Sequence, residues 1–153
     1  MITRKATAAD AASISALIDL YVPSGTLLPR SEEFVAMYAH EFIVVERDGD
    51  VVGCVHLDEY SPSLAELRSL AVAPGAQGEG IGKARVAATE RFARARDYAT
   101  LFAVSNDTEF FARFGFTRRN IPELDLERSE VSTYKGVFAK DLAPADSDST
   151  DAA

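Results

Sequence analysis

The chain has 153 residues, of which 47% are hydrophobic and 26% charged, so it is long enough for one domain with a buried core and too short for two. Its formal net charge of -8 opposes binding to nucleic acid, because a phosphate backbone is bound by a basic protein face. The single cysteine, Cys54, excludes an internal disulfide, and two histidines are too few for a zinc site, so no metal is expected.

Nothing in the chain predicts a membrane segment or export. No run approaches 18 consecutive apolar residues, so we expect no transmembrane helix and no membrane partner. Residues 2–5 already read as a strand, without the basic and apolar regions of a secretory signal. A cytoplasmic protein is therefore expected.

The chain begins with a predicted strand and an amphipathic helix. The strand covers residues 2–6, and Thr7 with Asp10 three residues later forms a variant of the capping box that starts the helix. Pro23 and Gly25 end it. The apolar face of this helix is predicted at Ile14, Leu17, Ile18 and Tyr21.

A short helix and a hairpin follow. The second helix is predicted to start at Ser31, because Glu32 and Glu33 lie in the first turn, where the helix dipole favours negative charge. Residues 42–47 and 51–60 are rich in β-branched side chains on either side of an Asp-Gly turn, which predicts a hairpin.

The middle of the chain reads as a strand, a long helix and another strand. A turn at residues 61–63 leads into a strand over residues 64–72, and apolar residues at helical spacing predict a helix from Ile81 to Ala95. Residues 99–105 form the next strand. The crossover through the helix makes the two strands parallel neighbours.

The remaining elements complete an α/β (α+β) fold. A short helix is predicted over residues 108–113, a strand beginning at Phe116, and a last strand over residues 133–142. The expected architecture is one domain over residues 1–142, with about four helices and a mixed, mostly antiparallel sheet of about seven strands around a central parallel pair. Residues 143–153 read as an acidic, disordered tail. Ligands favour the point where such a parallel pair diverges.

A glycine-rich segment, Gln77-Gly78-Glu79-Gly80-Ile81-Gly82, connects the central strand to the long helix. We call residues 77–82 the glycine loop. Glycines let backbone N–H groups approach an anion, and the helix N-terminus adds partial positive charge. Its spacing fits neither a Walker A loop, since Ala84 stands where a hydroxyl is needed, nor the dinucleotide fingerprint, which belongs on the first strand of its unit. A surface turn that merely caps the helix is the structural alternative.

The loop does fit the pattern Q/R-x-x-G-x-G/A and resembles the pyrophosphate loop of the GCN5-related N-acetyltransferase (GNAT) superfamily, which binds acetyl-CoA. Three further segments, YVPSGTLLPRS at 21–31, LAELRSLAV at 64–72 and LFAVSNDTEFFARFGF at 101–116, resemble the acetyltransferase domain of N-acetylglutamate synthases and related amino-acid N-acetyltransferases. The resemblance runs from residue 1 to about 142 and implies the acetyltransferase fold. It also implies acetyl-CoA as co-substrate in a direct transfer without metal.

The resemblance assigns cofactor contacts to the central strand and to the loop. Main-chain groups of the strand would bind the pantetheine arm and the acetyl carbonyl, and the loop would hold the pyrophosphate. Two phenylalanines could flank the CoA arm, although phenylalanines are more often core residues. The cofactor-binding candidates are Leu70, Ala71, Val72, Gln77, Gly78, Glu79, Gly80, Ile81, Gly82, Lys83, Phe110 and Phe111.

Glu66 and Ser105 are the catalytic candidates implied by the resemblance. Glu66 stands where many members keep a general base, and Ser105 matches a hydroxyl that could protonate the departing CoA thiolate. A glutamate of ordinary pKa about 4.3 facing an amine of about 8 leaves roughly 5 kcal/mol uphill, so a water relay or an apolar setting for the carboxylate is expected. The alternatives are a solvated Glu66 paired with Arg68 and a Ser105 that only caps the next turn.

The acceptor site is also carried over from the resemblance. Arg30 stands where the synthases bind a carboxylate of glutamate, and a guanidinium suits that role because it binds a carboxylate in a bidentate manner. Leu28, Tyr60 and Lys135 complete the substrate-binding candidates. The synthases place an Arg and a Ser near the start of the last strand, where this chain has Thr133 and Lys135.

These residues favour an acetyl-CoA-dependent N-acetyltransferase that acts on the α-amino group of L-glutamate or a related amino acid, at the entry of arginine biosynthesis. Acetylation of another amine, such as a protein N-terminus or an antibiotic, is one alternative. A catalytically silent CoA-binding module is another. The expected partner is a small-molecule amine, and the sequence leaves a homodimer open.

Overall fold

The computed structural model describes residues 1–78, 80–124 and 136–144. These residues group into two compact units. The first unit comprises Met1–Asp58 and Leu67–Phe92, and the second comprises Glu59–Glu66 and the described part of Ala93–Ala153. No helix within the described ranges is long and apolar enough to span a bilayer.

The predicted mixed sheet is confirmed. Its strand order, over the described residues, is β1-β2-β3-β4-β5-β7-β6, and β4 and β5 are parallel. The strands are β1 (Ile2–Lys5), β2 (Phe42–Arg47), β3 (Asp50–Ser61), β4 (Leu64–Val72), β5 (Thr100–Ser105), β6 (Thr117–Arg118) and β7 (Gly136–Asp141). The α-helices are α1 (Ala11–Asp19), α2 (Glu32–Met37), α3 (Ile81–Ala95) and α4 (Thr108–Arg113).

Local signals in the sequence set the ends of these elements. The Thr7 N–H donates to Asp10 Oδ2 at 2.8 Å, which completes one half of the predicted capping box before α1. Ser31 Oγ accepts from the Phe34 N–H at 3.1 Å and starts α2 as predicted. Asp48 and Gly49 both have positive φ, which is the backbone of the tight hairpin turn between β2 and β3.

The first unit buries apolar side chains on both faces of β2 and β3. One face packs against α1 and α2, in a cluster that includes Ile14, Ile18, Val35, Phe42, Val44, Cys54 and Ala71. The other face packs against the start of α3, through Val45, Val52, Ala76 and Ile81. Gly53 lies on this second face, and a Cβ placed there would be 2.7 Å from Ile81 Cγ2. The glycine at position 53 therefore leaves room for Ile81, the first residue of α3, to pack on the sheet.

The second unit is built on the parallel ladder and on β7. Leu64, Ala65 and Glu66 pair with Thr100, Leu101 and Phe102. On its other edge β5 pairs with β7 along its whole length. Of the last predicted strand, residues 136–141 are confirmed, whereas residues 133–135 lie outside the described residues.

Gly53→Ala should lower the free energy of unfolding by about 1–3 kcal/mol, because the new methyl group must displace the buried Ile81 side chain. Gly75→Ala is the matched control, since a Cβ there meets no heavy atom within 4 Å. Urea unfolding of both variants measures the difference. Equal stability of the two would show that Gly53 is not needed for the seating of α3.

Candidate active site

Strand β4 changes character halfway along its length. Its parallel ladder with β5 joins three residue pairs, the last being Glu66 with Phe102. Ser69 then has a φ of 54°, a left-handed conformation that interrupts the regular strand. Non-glycine residues seldom adopt such a conformation, and they do so most often where a backbone serves a function.

Beyond Ser69 the backbone groups of β4 can be assigned to its two edges. The Ala73 N–H donates to the Val52 carbonyl of β3 at 2.8 Å, and the Cys54 thiol of β3 donates to the Ser69 carbonyl at 3.4 Å. Alternate residues of a strand direct their N–H groups to opposite edges. The N–H groups of Leu70 and Val72 therefore point away from β3, towards the edge at which the ladder with β5 has ended.

Two glycines of the glycine loop have open space around their backbone. Gly78 and Gly80 are exposed and have φ of +83° and +79°, and a Cβ at either position would meet no heavy atom within 4 Å. Such an open loop is accessible to an anion, and the glycines supply conformations that other residues rarely adopt. Glu79, also predicted to be in the cofactor site, lies outside the described residues.

Helix α3 begins at the end of this loop. The Ala84 N–H donates to the Gly80 carbonyl at 3.0 Å, so Gly80 caps the helix and the N–H groups of Ile81, Gly82 and Lys83 precede the first helical bond. α3 is 15 residues long, and its dipole favours an anion at this end. Lys83 is exposed beside it, where its charge adds to the same field.

Tyr21 connects the end of β4 to the glycine loop. Its hydroxyl donates a short hydrogen bond to the Val72 carbonyl, and Gln77 Nε2 donates to the same hydroxyl at 3.2 Å. The sequence predicted Tyr21 only as part of an apolar helix face. Its hydroxyl partners are 51 and 56 residues away, so local sequence holds no signal for them.

Two buried groups lie beneath this region. Arg85 of α3 extends past Gly53, and its Nη1 is 3.5 Å from the Cys54 carbonyl. Burial lowers the pKa of Arg85 to about 10, so it stays charged at neutral pH. Burial raises the pKa of Cys54 to about 12, so its thiol stays protonated and is unsuited to nucleophilic transfer. Sequence reasoning did not single out Arg85.

Arg30 lies in the segment between α1 and α2. Its carbonyl accepts from the buried Ser15 hydroxyl at 2.7 Å, which fixes the backbone, and its guanidinium lies 5.2 Å from the centre of the Phe34 ring. Its Nη1 donates to the Pro29 carbonyl at 3.2 Å, and the planar fork of a guanidinium suits bidentate binding of a carboxylate. Leu28, the neighbouring substrate candidate, is exposed.

A polar network lies on the same unit, at β3. His56 is buried, stacked on Phe42 at 4.4 Å, and its Nε2 is 2.9 Å from Glu41 Oε1. Burial lowers the pKa of His56, so it is neutral at pH 7. Asp58 lies near both and pairs with Arg68 at 3.5 Å. Arg68 therefore supplies the positive charge that pairs with the Asp58 carboxylate.

In the second unit, Glu66 is buried, with 5% of its surface exposed. The alternative of a solvated Glu66 is wrong, because the side chain is shielded from water; Arg68 forms an ion pair with Asp58. Carboxylates are seldom buried in proteins unless they are paired or have a function. The burial of Glu66 is therefore compatible with a catalytic role.

Ser105 performs the capping role that was the alternative for it. Its Oγ accepts from the Asp107 N–H at 3.0 Å, and Asp107 Oδ1 in turn accepts from the Phe110 N–H at 3.1 Å at the start of α4. The first of these bonds uses one lone pair of Ser105 Oγ. The hydroxyl hydrogen is not consumed by this contact, so a donor role is compatible with the cap.

The remaining predicted residues of this unit divide into core and surface. Phe111 is buried and stacked on Phe138 with ring centres 5.7 Å apart, which is a core position, whereas Phe110 is half-buried. The Tyr60 hydroxyl donates to the Glu123 carbonyl at 2.8 Å. Lys135 lies outside the described residues.

The short parallel ladder between β4 and β5 and the glycine loop that caps α3 agree with the comparison to known proteins. The profile of the Acetyltransferase (GNAT) family matches residues 14–116. The chain belongs to the GNAT family. It is accordingly an N-acetyltransferase that uses acetyl-CoA as co-substrate.

Three proteins show the range of this similarity. An uncharacterised N-acetyltransferase of Chlorobaculum tepidum is 34% identical over 113 residues, which cover 74% of this chain and 73% of the relative. An amino-acid acetyltransferase of Mycobacterium tuberculosis is 37% identical over 121 residues, covering 76% and 68%. The N-acetylglutamate synthase of Neisseria gonorrhoeae, crystallised with coenzyme A and N-acetyl-glutamate, superposes with a TM-score of 0.83 at 31% identity. That match covers 93% of this chain and 35% of the synthase.

Proposed function

We propose that this GNAT enzyme acetylates the α-amino group of L-glutamate or a closely related amino acid, and that it serves arginine biosynthesis. The observation that carries the proposal is Arg30, whose guanidinium is oriented by Phe34 and whose backbone is fixed by Ser15. The similarity to an amino-acid acetyltransferase and to an N-acetylglutamate synthase supports the same acceptor.

Acetyl-CoA is proposed to bind along the open edge of β4 and at the start of α3. The N–H groups of Leu70 and Val72 have the direction needed to bind the acetyl carbonyl and the pantetheine arm. The glycine loop and the first turn of α3 supply backbone donors and a positive dipole for the pyrophosphate. Of the two phenylalanines, the half-buried Phe110 is the one that can line the CoA arm.

The chemistry then needs a base, an oxyanion donor and an acid. Glu66 takes a proton from the acceptor ammonium, directly or through water, because only the neutral amine has a lone pair. The amine nitrogen attacks the thioester carbonyl carbon, and the Leu70 or Val72 N–H stabilises the negative oxygen that forms. The C–S bond breaks as the amide forms, and the leaving thiolate takes the proton of the Ser105 hydroxyl. The second proton lost by the attacking nitrogen returns to the Ser105 oxygen, directly or through water, so that no alkoxide remains.

The acceptor is held by its carboxylate in this proposal. Arg30 offers two parallel donors, and such a charge-assisted pair is stronger and more directional than a single lysine contact. Leu28 and Tyr60 stay candidates for the walls of the acceptor site, and Lys135 stays a candidate for a second charge.

Arg30→Ala should raise the KM for glutamate at least tenfold and leave the KM for acetyl-CoA within twofold, because in this proposal the guanidinium binds the acceptor carboxylate and not the cofactor. Arg30→Lys should recover part of the loss, since a lysine keeps the charge but not the fork. Thiol release measured with each common amino acid gives these constants.

The matched control is Arg91→Ala, which removes an exposed arginine from the middle of α3. An unaltered glutamate KM in Arg30→Ala, or thiol release with other amines but not with amino acids, would contradict the proposed acceptor. The second result would favour acetylation of a protein N-terminus or an antibiotic. Coenzyme A binding without turnover on any amine would indicate a silent binding module.

Glu66→Gln should lower kcat by about 10²-fold or more, the usual contribution of a general base, with the Kd for coenzyme A unchanged. The acid limb of the kcat/KM pH profile should disappear in the variant if it reports Glu66. Steady-state kinetics and calorimetry supply both readouts. Turnover that is unchanged at every pH would remove Glu66 from the mechanism.

Three further expectations stay predictions. The boundary of the catalytic domain near residue 142 is one, because residues 145–153 lie outside the described part of the chain. A cytoplasmic location and the number of copies in the active assembly are the others.

A further inference from the structure

We propose that Tyr21 is a positioning residue for acetyl-CoA, which holds the end of β4 and the glycine loop in the arrangement that binds the cofactor. This inference rests on the cofactor site proposed above. It assigns a role to a side chain that does not belong to the strand, the loop or the helix of that site.

The hydroxyl of Tyr21 makes two hydrogen bonds with different parts of the cofactor site. It donates to the Val72 carbonyl, and it accepts from Gln77 Nε2 at 3.2 Å. Val72 is the last residue of β4, and Gln77 is the first residue of the glycine loop. One oxygen atom therefore links the two backbone segments that the cofactor must contact together.

The ring of Tyr21 fixes where that oxygen lies. The side chain packs, partly buried, against the apolar cluster formed by α1, α2, β2 and β3. A tyrosine has two side-chain torsions, so packing of the ring determines the position of the hydroxyl at low entropic cost. The hydroxyl is thus a rigid point to which β4 and the loop are attached.

Among the described residues that precede Ile81 in the glycine loop, Gln77 is the one that carries a side chain. Gly78 and Gly80 carry no side chain, and a Cβ at either position would meet nothing within 4 Å. Gln77 is exposed, and its side chain donates to the Tyr21 hydroxyl. Without that bond the loop gains conformational freedom, and the cofactor must order it on binding, which weakens affinity.

The bond to Val72 does not block cofactor binding. A carbonyl oxygen has two lone pairs, so Val72 can accept from Tyr21 and from an amide of the pantetheine arm. In a strand the N–H and C=O of one residue point to the same edge, so Tyr21 also fixes the direction of the Val72 N–H.

Tyr21 begins the segment that carries Arg30 as well. Its carbonyl accepts from Ser24 Oγ at 3.1 Å and from the Leu27 N–H at 3.2 Å. Tyr21 thus ties the acceptor segment, residues 21–31, to β4. The main effect of its hydroxyl should still fall on acetyl-CoA, because both of its partners belong to the cofactor site.

Tyr21→Phe tests the inference, because it removes the hydroxyl and keeps the ring. We expect the Kd for coenzyme A, measured by calorimetry without an acceptor, and the KM for acetyl-CoA to rise three- to tenfold. The value of kcat should change less than twofold. A residue that served only folding would lower the melting temperature without this separation of KM from kcat.

Gln77→Met removes the hydrogen bond to Tyr21 by changing an exposed side chain, so the fold should be unaffected. It should weaken coenzyme A binding by a factor no larger than that of Tyr21→Phe, and the double variant should bind no more weakly than Tyr21→Phe alone. Ser24→Ala is the matched control, since it removes a hydroxyl bond of the same segment that reaches neither Val72 nor Gln77.

The outcomes separate the two proposals. A wild-type protein that does not bind coenzyme A would overturn the cofactor site and this inference together. Wild-type binding with an unchanged Kd in Tyr21→Phe would overturn the inference alone. Effects of Tyr21→Phe and Gln77→Met that multiply in the double variant would show that the two side chains act independently, which also contradicts it.

Discussion

The end of the parallel ladder on β4 is the constraint on which the site depends. Three residue pairs join β4 to β5, and the left-handed backbone at Ser69 follows the last of them. A strand that kept its regular pairing to the end would use its N–H groups within the sheet. Here the N–H groups of Leu70 and Val72 point to the edge of β4 along which the ladder with β5 has ended. Backbone donors in this position are suited to bind the carbonyl oxygen of a thioester.

Polar side chains of the proposed site are held by contacts within the protein before any ligand arrives. Tyr21 attaches the loop to the strand, and Ser15 fixes the backbone of Arg30 while Phe34 orients its guanidinium. Preorganised donors cost little to use when charge develops in a transition state. This explains how a chain with a net charge of -8 can bind an anionic cofactor. Its attraction is local, made of backbone dipoles and a few cations, and the other charges are screened within about 10 Å.

Much of the fold could be predicted because its signals are local. The bounds of β4 and α4 match the predicted residues, and the Asp-Gly turn and the Ser31 cap act over three or four residues. The features that the sequence did not predict depend on contacts between distant segments. No pattern distinguishes the left-handed Ser69 from an ordinary strand serine. The partners of Tyr21 and the burial of Arg85 beside Gly53 are likewise set by tertiary packing.

The central claim is that backbone amides at the end of β4 and in the glycine loop bind the coenzyme. Amide resonances of the uniformly ¹⁵N-labelled protein, followed during titration with coenzyme A alone, test it most directly. The account predicts large shifts for Leu70, Val72, Gly78, Gly80 and Gly82, and small ones for the β2–β3 turn at Gly49. Saturable binding that leaves those five amides unmoved would contradict it, because the cofactor would then lie elsewhere on the protein.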